Sequence, residues 1–154
     1  MIYWFTGQPC AGKTVLANKL KNHLENEVNE KDPNKRYKIY RIDGDDMREL
    51  FSNKDYTIKG RVENVGTAQR IAHYLHNQGQ DVIVSLVAPY VDQREDFKEL
   101  LGDNIKEIYV HTTEPRERDH WKATAYVGPT SNFIDIDTTD DSPEQSLEKI
   151  LKQI

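Results

Sequence analysis

Eight consecutive residues narrow what this chain can fold into. Gly7-Gln8-Pro9-Cys10-Ala11-Gly12-Lys13-Thr14 follows the G-x-x-x-x-G-K-[ST] spacing of a phosphate-binding P-loop. Such a loop works only between the end of a strand and the start of a helix. Its glycines let backbone N–H groups converge on phosphate oxygens, and the helix adds the positive end of its dipole. The flanks fit: Ile2-Tyr3-Trp4-Phe5 is a β-prone block, and Leu16, Leu20, Leu24 and Val28 recur every fourth residue on one helical face. Lys13 is expected to reach the outer phosphates and the Thr14 hydroxyl to ligate Mg²⁺. Gly7, Gln8, Pro9, Cys10, Ala11 and Gly12 supply the ATP cradle. Cys10 reads as a small residue at a permissive loop position, with a thiol activated by the helix-end amides as the alternative.

The rest of the chain alternates strands and helices. Tyr37 to Ile42 reads as a second strand closing on Asp43-Gly44, Asp45 to Phe51 as a short helix, and Ser52 to Lys59 as a polar loop. The 3-and-4 spacing of Val62, Val65, Ala68, Ile71, Ala72 and Leu75 predicts a helix from about Gly60 to Gln78, stopped by Gly79. Asp81 to Val87 reads as a strand buried on both faces, Asp92 to Leu101 as a helix and Glu107 to His111 as a strand. Glu114 to His120 is a further helical candidate, and Trp121 to Asn132 has no clear period. Phe133, Ile134 and Ile136 suggest a last strand. Ser142-Pro143-Glu144-Gln145 carries the signals of a capped helix start. The expected fold is α/β: a P-loop NTPase-type parallel sheet of about five strands with helices on both faces, in one domain spanning residues 1–154.

Composition excludes several classes. A chain of 154 residues suits one domain and buries a core without metal or disulfide. Lys plus Arg count 21 against 26 Asp plus Glu, so the net charge of −5 argues against nucleic-acid partners and anionic membrane surfaces. A single cysteine rules out an intrachain disulfide and fits a reducing, cytoplasmic setting. The apolar stretch at residues 2–5 is too short for a signal peptide, and the run from Val82 to Pro89 falls far short of the ~20 residues that span a bilayer. His73 and His76 read as a solvated helix face and Ser85 as a core position.

A second candidate site is Asp43-Gly44-Asp45-Asp46-Met47-Arg48, at the strand end where α/β sheets bind ligands. Asp43 could hold the metal's water or take a proton from an acceptor hydroxyl, and Asp45 could act there or simply cap the helix. Together with the P-loop, this block resembles the adenylylsulfate kinase (APS kinase) family. That family carries Asp-Gly-Asp-Asn-x-Arg, then Arg-x-Glu-Asn, then a strand ending in Ser-Pro-Tyr-Arg-x-x-Arg. The counterparts are the Asp43 block, Arg61-Val62-Glu63-Asn64, and Ala88-Pro89-Tyr90-Val91-Asp92-Gln93-Arg94. Arg118-Asp119 looks like the Arg-Asp that opens the family's lid, here roughly residues 118–132. Asp137-Thr138 and Ser142-Pro143-Glu144 resemble its last strand and helix.

The resemblance implies ATP-dependent phosphorylation of the 3′-hydroxyl of adenylylsulfate to give PAPS, with Mg²⁺ as cofactor and a homodimer as the assembly. Carried over residue by residue, Lys13, Asp43 and Asp45 are catalytic, Thr14 and Asp43 serve the metal, and Arg118 joins the ATP side. Asp43, Asp45, Arg48, Arg61, Asn64, Pro89 and Tyr90 meet the small anionic nucleotide acceptor, and Tyr90 or Phe51 could stack on its adenine. The chain departs from the family on the acceptor and lid side. Val65-Gly66-Thr67 follows Asn64 in place of a basic pair, Asp46 replaces an Asn, Ala88 replaces a Ser, and the lid is shorter. Two other readings stay open: a P-loop kinase for another hydroxyl (sugar, nucleoside or polynucleotide end), and a non-catalytic nucleotide binder. Asn53-Lys54-Asp55-Tyr56 has the wrong spacing for a guanine-reading Asn-Lys-x-Asp.

Overall fold

Strand β1 (Ile2–Thr6) runs straight into the P-loop, and helix α1 (Lys13–Lys31) leaves it, in a computed structural model that describes residues 1–114 and 122–154. Strand β2 (Tyr40–Asp43), helices α2 (Gly44–Leu50) and α3 (Ile58–Asn77), strand β3 (Val82–Ser85) and helix α4 (Val91–Leu101) follow. A short 3₁₀ turn leads to β4 (Ile105–His111), and β5 (Phe133–Asp137) and α5 (Pro143–Leu151) complete the order. The helical candidate over Glu114 to His120 falls almost wholly outside the described residues.

The five strands form one parallel sheet in the order β2-β3-β1-β4-β5. Alternation along β1 divides the core. Ile2 and Trp4 point to one face, where they pack with Val65, Ala68 and Ala72 of α3 and Phe97 and Leu101 of α4. Phe5 points to the other, against Leu16, Ala17 and Leu20 of α1 and Ile150 of α5. The α1 stripe is deepest in its first half: Leu16 and Leu20 are buried, whereas Leu24 and Val28 are half-buried. In α5 the Ser142 hydroxyl accepts from Gln145 N–H and the Gln145 amide accepts from Ser142 N–H, the reciprocal cap expected there.

Several boundaries differ from the sequence expectation, for reasons outside local propensity. Strand β2 begins at Tyr40 rather than Tyr37. The N–H of Tyr37 donates to Asn29 Oδ1 (2.9 Å) and that of Ile39 to Glu25 Oε1 (2.7 Å), so α1 side chains take donors a sheet ladder would use. Strand β3 ends at Ser85 rather than Val87, because Thr6 Oγ1 takes the Val87 carbonyl and Ala88 adopts a left-handed φ of 43° that extended chain forbids. Helix α3 starts at Ile58, two residues before Gly60, where the Thr57 hydroxyl caps it. Among the described residues, no helix is long and apolar enough to cross a membrane.

Candidate active site

The carboxyl ends of β1, β2 and β3 open onto a cavity of about 700 Å³. On its phosphate side the P-loop backbone is forced by sterics. Gly7 sits at φ 146°, and a Cβ there would lie 2.0 Å from the Val110 carbonyl oxygen. Gly12, at φ 103°, is the N-cap of α1 and has no side chain to offer the first-turn amides. Those N–H groups are left for an anion, as phosphate binding requires. Cys10 is exposed, at φ 62°, and lines the cavity with Pro9, Gly12, Lys13 and Thr14.

Lys13 is 8% exposed, and its Nζ donates to the Gln8 carbonyl at 2.7 Å, back across the loop. Burial pulls its pKa down to about 8, against the opposing pull of Asp43, Cys10 and Asp45. Gly7, Gln8 and Ala11 do not line the cavity. Gly7 packs on Val110, Ala11 is buried in the α1 core, and the Gln8 amide turns to the backbone of Ala123.

Asp43 is a hub of hydrogen bonds at the end of β2. It is 7% exposed, and its Oδ2 accepts from Thr14 Oγ1 (3.0 Å), Ser85 Oγ (2.7 Å) and Arg41 Nη1 (3.3 Å). Its Oδ1 accepts the Asp45 N–H at 3.0 Å, so Asp43 is the N-cap of α2, a role the sequence had offered to Asp45. Asp45 is exposed on the first helical turn and faces the cavity. Ser85, expected only as core, is buried and also one of the donors that orient Asp43. The pairing of β2 with β3 places the two in register. A hydroxyl and a carboxylate at one point make a hard-oxygen donor pair. That suits Mg²⁺, which keeps several waters and asks the protein for only one or two ligands. Thr14 and Asp43 therefore fit the metal.

The opposite wall is cationic and aromatic. The Arg48 guanidinium stacks 4.0 Å from the Tyr56 ring centroid and that of Arg61 lies 5.6 Å from it. Arg48 is steadied by the carbonyls of Asn53 and Asp55, and Arg61 by that of Tyr56. Asn64 is buried at the same wall and donates to the Gly44 carbonyl, tying α3 to the start of α2. Pro89 lines the cavity, but Tyr90 and Phe51 do not. Tyr90 is the N-cap of α4, and Phe51, 54% exposed, ends α2 outside the cavity. Tyr56, to which the sequence assigned no role, lines the cavity where Phe51 and Tyr90 do not. The signal missed was its spacing: five residues before Arg61, in a loop closed by Arg48. Arg118 lies outside the described residues.

Residues 1–149 match the family described as adenylylsulphate kinase. The chain belongs to the adenylylsulphate kinase family. An adenylyl-sulfate kinase of Staphylococcus epidermidis is 29% identical over 173 residues, covering 99% of this chain and 83% of its own. One from Buchnera aphidicola is 29% identical over 150 residues, covering 93% of this chain and 68% of its own. The solved structure of Mycobacterium tuberculosis APS kinase in complex with AMPPNP and APS superposes with a TM-score of 0.78, over 98% of this chain and 95% of that one. At 19% identity that likeness speaks for the adenylylsulphate kinase fold alone.

Proposed function

We propose that this chain transfers the γ-phosphate of ATP to the 3′-hydroxyl of adenylylsulfate, giving PAPS and ADP. The observation that carries the reading is the two-sided cavity. An uncapped P-loop helix and the Thr14–Asp43 oxygen pair stand on one side, with the Arg48–Tyr56–Arg61 wall on the other. A donor triphosphate and an acidic, adenine-bearing acceptor match these sides in charge and shape.

The residues divide the work by chemistry. The first-turn amides of α1 and the Lys13 ammonium hold the outer phosphates and meet the charge that builds there in transfer. Thr14 and Asp43 would hold Mg²⁺, which would supply positive charge to neutralise the phosphates. Asp43 already accepts four hydrogen bonds, which leaves its carboxylate engaged. Asp45, exposed to the cavity two residues on, is the carboxylate we assign to the acceptor hydroxyl and its proton. Arg48 and Arg61 take the acceptor's anionic groups, Tyr56 its adenine ring, and Asn64 and Pro89 complete that wall. On this assignment residues 1–154 act as one kinase domain. We further propose a homodimer, on the strength of the family resemblance, working in the reducing cytoplasm that a single cysteine fits.

The test is transfer of labelled phosphate from ATP to adenylylsulfate by the unmodified protein. Labelled PAPS is the expected product. No PAPS, alongside brisk transfer to a neutral sugar or nucleoside, would replace adenylylsulfate as the acceptor.

A further inference from the structure

Residue 8 of the P-loop has a side chain that never faces phosphate. The Gln8 carboxamide pairs with both backbone groups of Ala123, 115 positions away: Nε2 donates to the Ala123 carbonyl and Oε1 accepts the Ala123 N–H, each at 3.0 Å. The pairing admits only one amide orientation, since a flipped group would set donor against donor.

Ala123 opens a short strap, residues 123–127, which is held at three further points, one of them Arg94 Nη2 donating to the Val127 carbonyl. The Thr6 hydroxyl donates to the Val87 carbonyl, so Tyr126 donates its own hydroxyl to Thr6, at 3.1 Å. Val127 N–H donates to the Pro89 carbonyl at 3.1 Å. Pro89 belongs to the acceptor wall, and Gln8 to the loop that cradles the donor phosphates. The strap thus ties the P-loop residue Gln8 to the backbone of Pro89.

We infer that Gln8 is a positioning residue: through Ala123 and the strap it fixes the distance between the phosphate loop and the acceptor wall. In-line transfer depends steeply on that distance, and a misplacement of ~1 Å can cost ~10²-fold in rate. The Gln8 carbonyl accepts from Lys13 Nζ while its side chain makes this fastening, so the two roles separate by substitution. Gln8→Met keeps length and flexibility but loses both hydrogen bonds.

Two measurements decide the matter. Amide hydrogen exchange of the free protein at Ala123 should accelerate roughly 10-fold in Gln8→Met, the scale of two neutral hydrogen bonds in a flexible segment. In steady state kcat should fall roughly 10-fold, while ADP affinity and acceptor KM stay within about twofold. Tyr126→Phe, which loosens the same strap elsewhere, should reproduce the kcat loss. The double variant should lose less than the product of the two, because a strap already free cannot be freed again. The kinetic arm rests on the phosphotransfer reading. The exchange arm does not, and it reports on the fastening whatever the acceptor. Unchanged exchange at Ala123 would overturn the inference. So would faster exchange with kcat intact, or a parallel fall in kcat, ADP affinity and thermal midpoint, which marks a merely structural tie.

Discussion

Thr14 and Asp43 meet through a 3.0 Å hydrogen bond, Oγ1 to Oδ2, that joins the first turn of α1 to the last residue of β2. Ser85 holds the same carboxylate oxygen from β3. Asp43→Asn and Thr14→Val should each raise the Mg²⁺ concentration needed for half-maximal velocity. Ser85→Ala should do so less, within the ~10–100-fold range seen when a supporting hydrogen bond to a metal ligand is lost. Velocity against free Mg²⁺ at saturating ATP checks this, and an unshifted curve for Asp43→Asn would remove it from the metal site.

Lys13 is protonated below about pH 8 and neutral above it. On the proposed role the Lys13 ammonium holds phosphate, so kcat/KM for ATP should fall as pH rises through about 8. Lys13→Ala should lose roughly 10²–10³-fold and show no such limb. The stability effect has the opposite sense. Folding lowers this pKa from 10.5, so between about 8 and 10.5 the unfolded chain binds the extra proton and the Lys13 contribution to stability rises with pH. Below about 8 its buried charge is a standing cost. Lys13→Met should therefore unfold at higher urea than the unmodified protein at about pH 7, even though it is inactive.

At the acceptor wall, Arg48→Ala and Arg61→Ala should each cost roughly 10–150-fold in kcat/KM for adenylylsulfate, from a lost charge-assisted contact of ~1.5–3 kcal/mol. ADP affinity should hardly move. Tyr56→Ala should raise the acceptor KM as well, whereas Phe51→Ala should leave it unchanged, because Phe51 does not line the cavity. Equal effects at Phe51 and Tyr56 would contradict that placement.

Arg94 and Glu107 form an ion pair, Nε to Oε1 at 2.8 Å, with both side chains only 1% exposed. Arg94 also donates to the carbonyls of Ala88 and Val127. Lys98 Nζ holds the other Glu107 oxygen at 2.6 Å, so Arg94→Met removes one of two cations from a buried carboxylate and should cost ~3 kcal/mol in urea unfolding, the low end for a broken buried pair. Adding Lys98→Met should deepen the loss, since Glu107 then keeps neither cation.

The order of strands and helices, the P-loop and the capped start of α5 were legible in sequence because each depends on neighbours within one or two helical turns. A strand repeats every two residues, a helix every 3.6, and a P-loop is eight consecutive positions. The same locality let Lys13, Thr14, Asp43, Asp45, Arg48 and Arg61 be named before any fold was known, once the family's motifs were recognised. Tertiary structure decided what depends on distant partners. Glu25 and Asn29 shortened β2 by taking its donors, and Thr6 and Ala88 shortened β3. Ser85 became a partner of Asp43 through strand register, 42 residues away, and Gln8 found Ala123 across 115. Tyr56, not Phe51, reached the cavity because Arg48 and Arg61 converge on its ring from two different helices. Burial, register and hydrogen-bond partnership are properties of the assembled sheet and its loops, and no window of adjacent residues contains them.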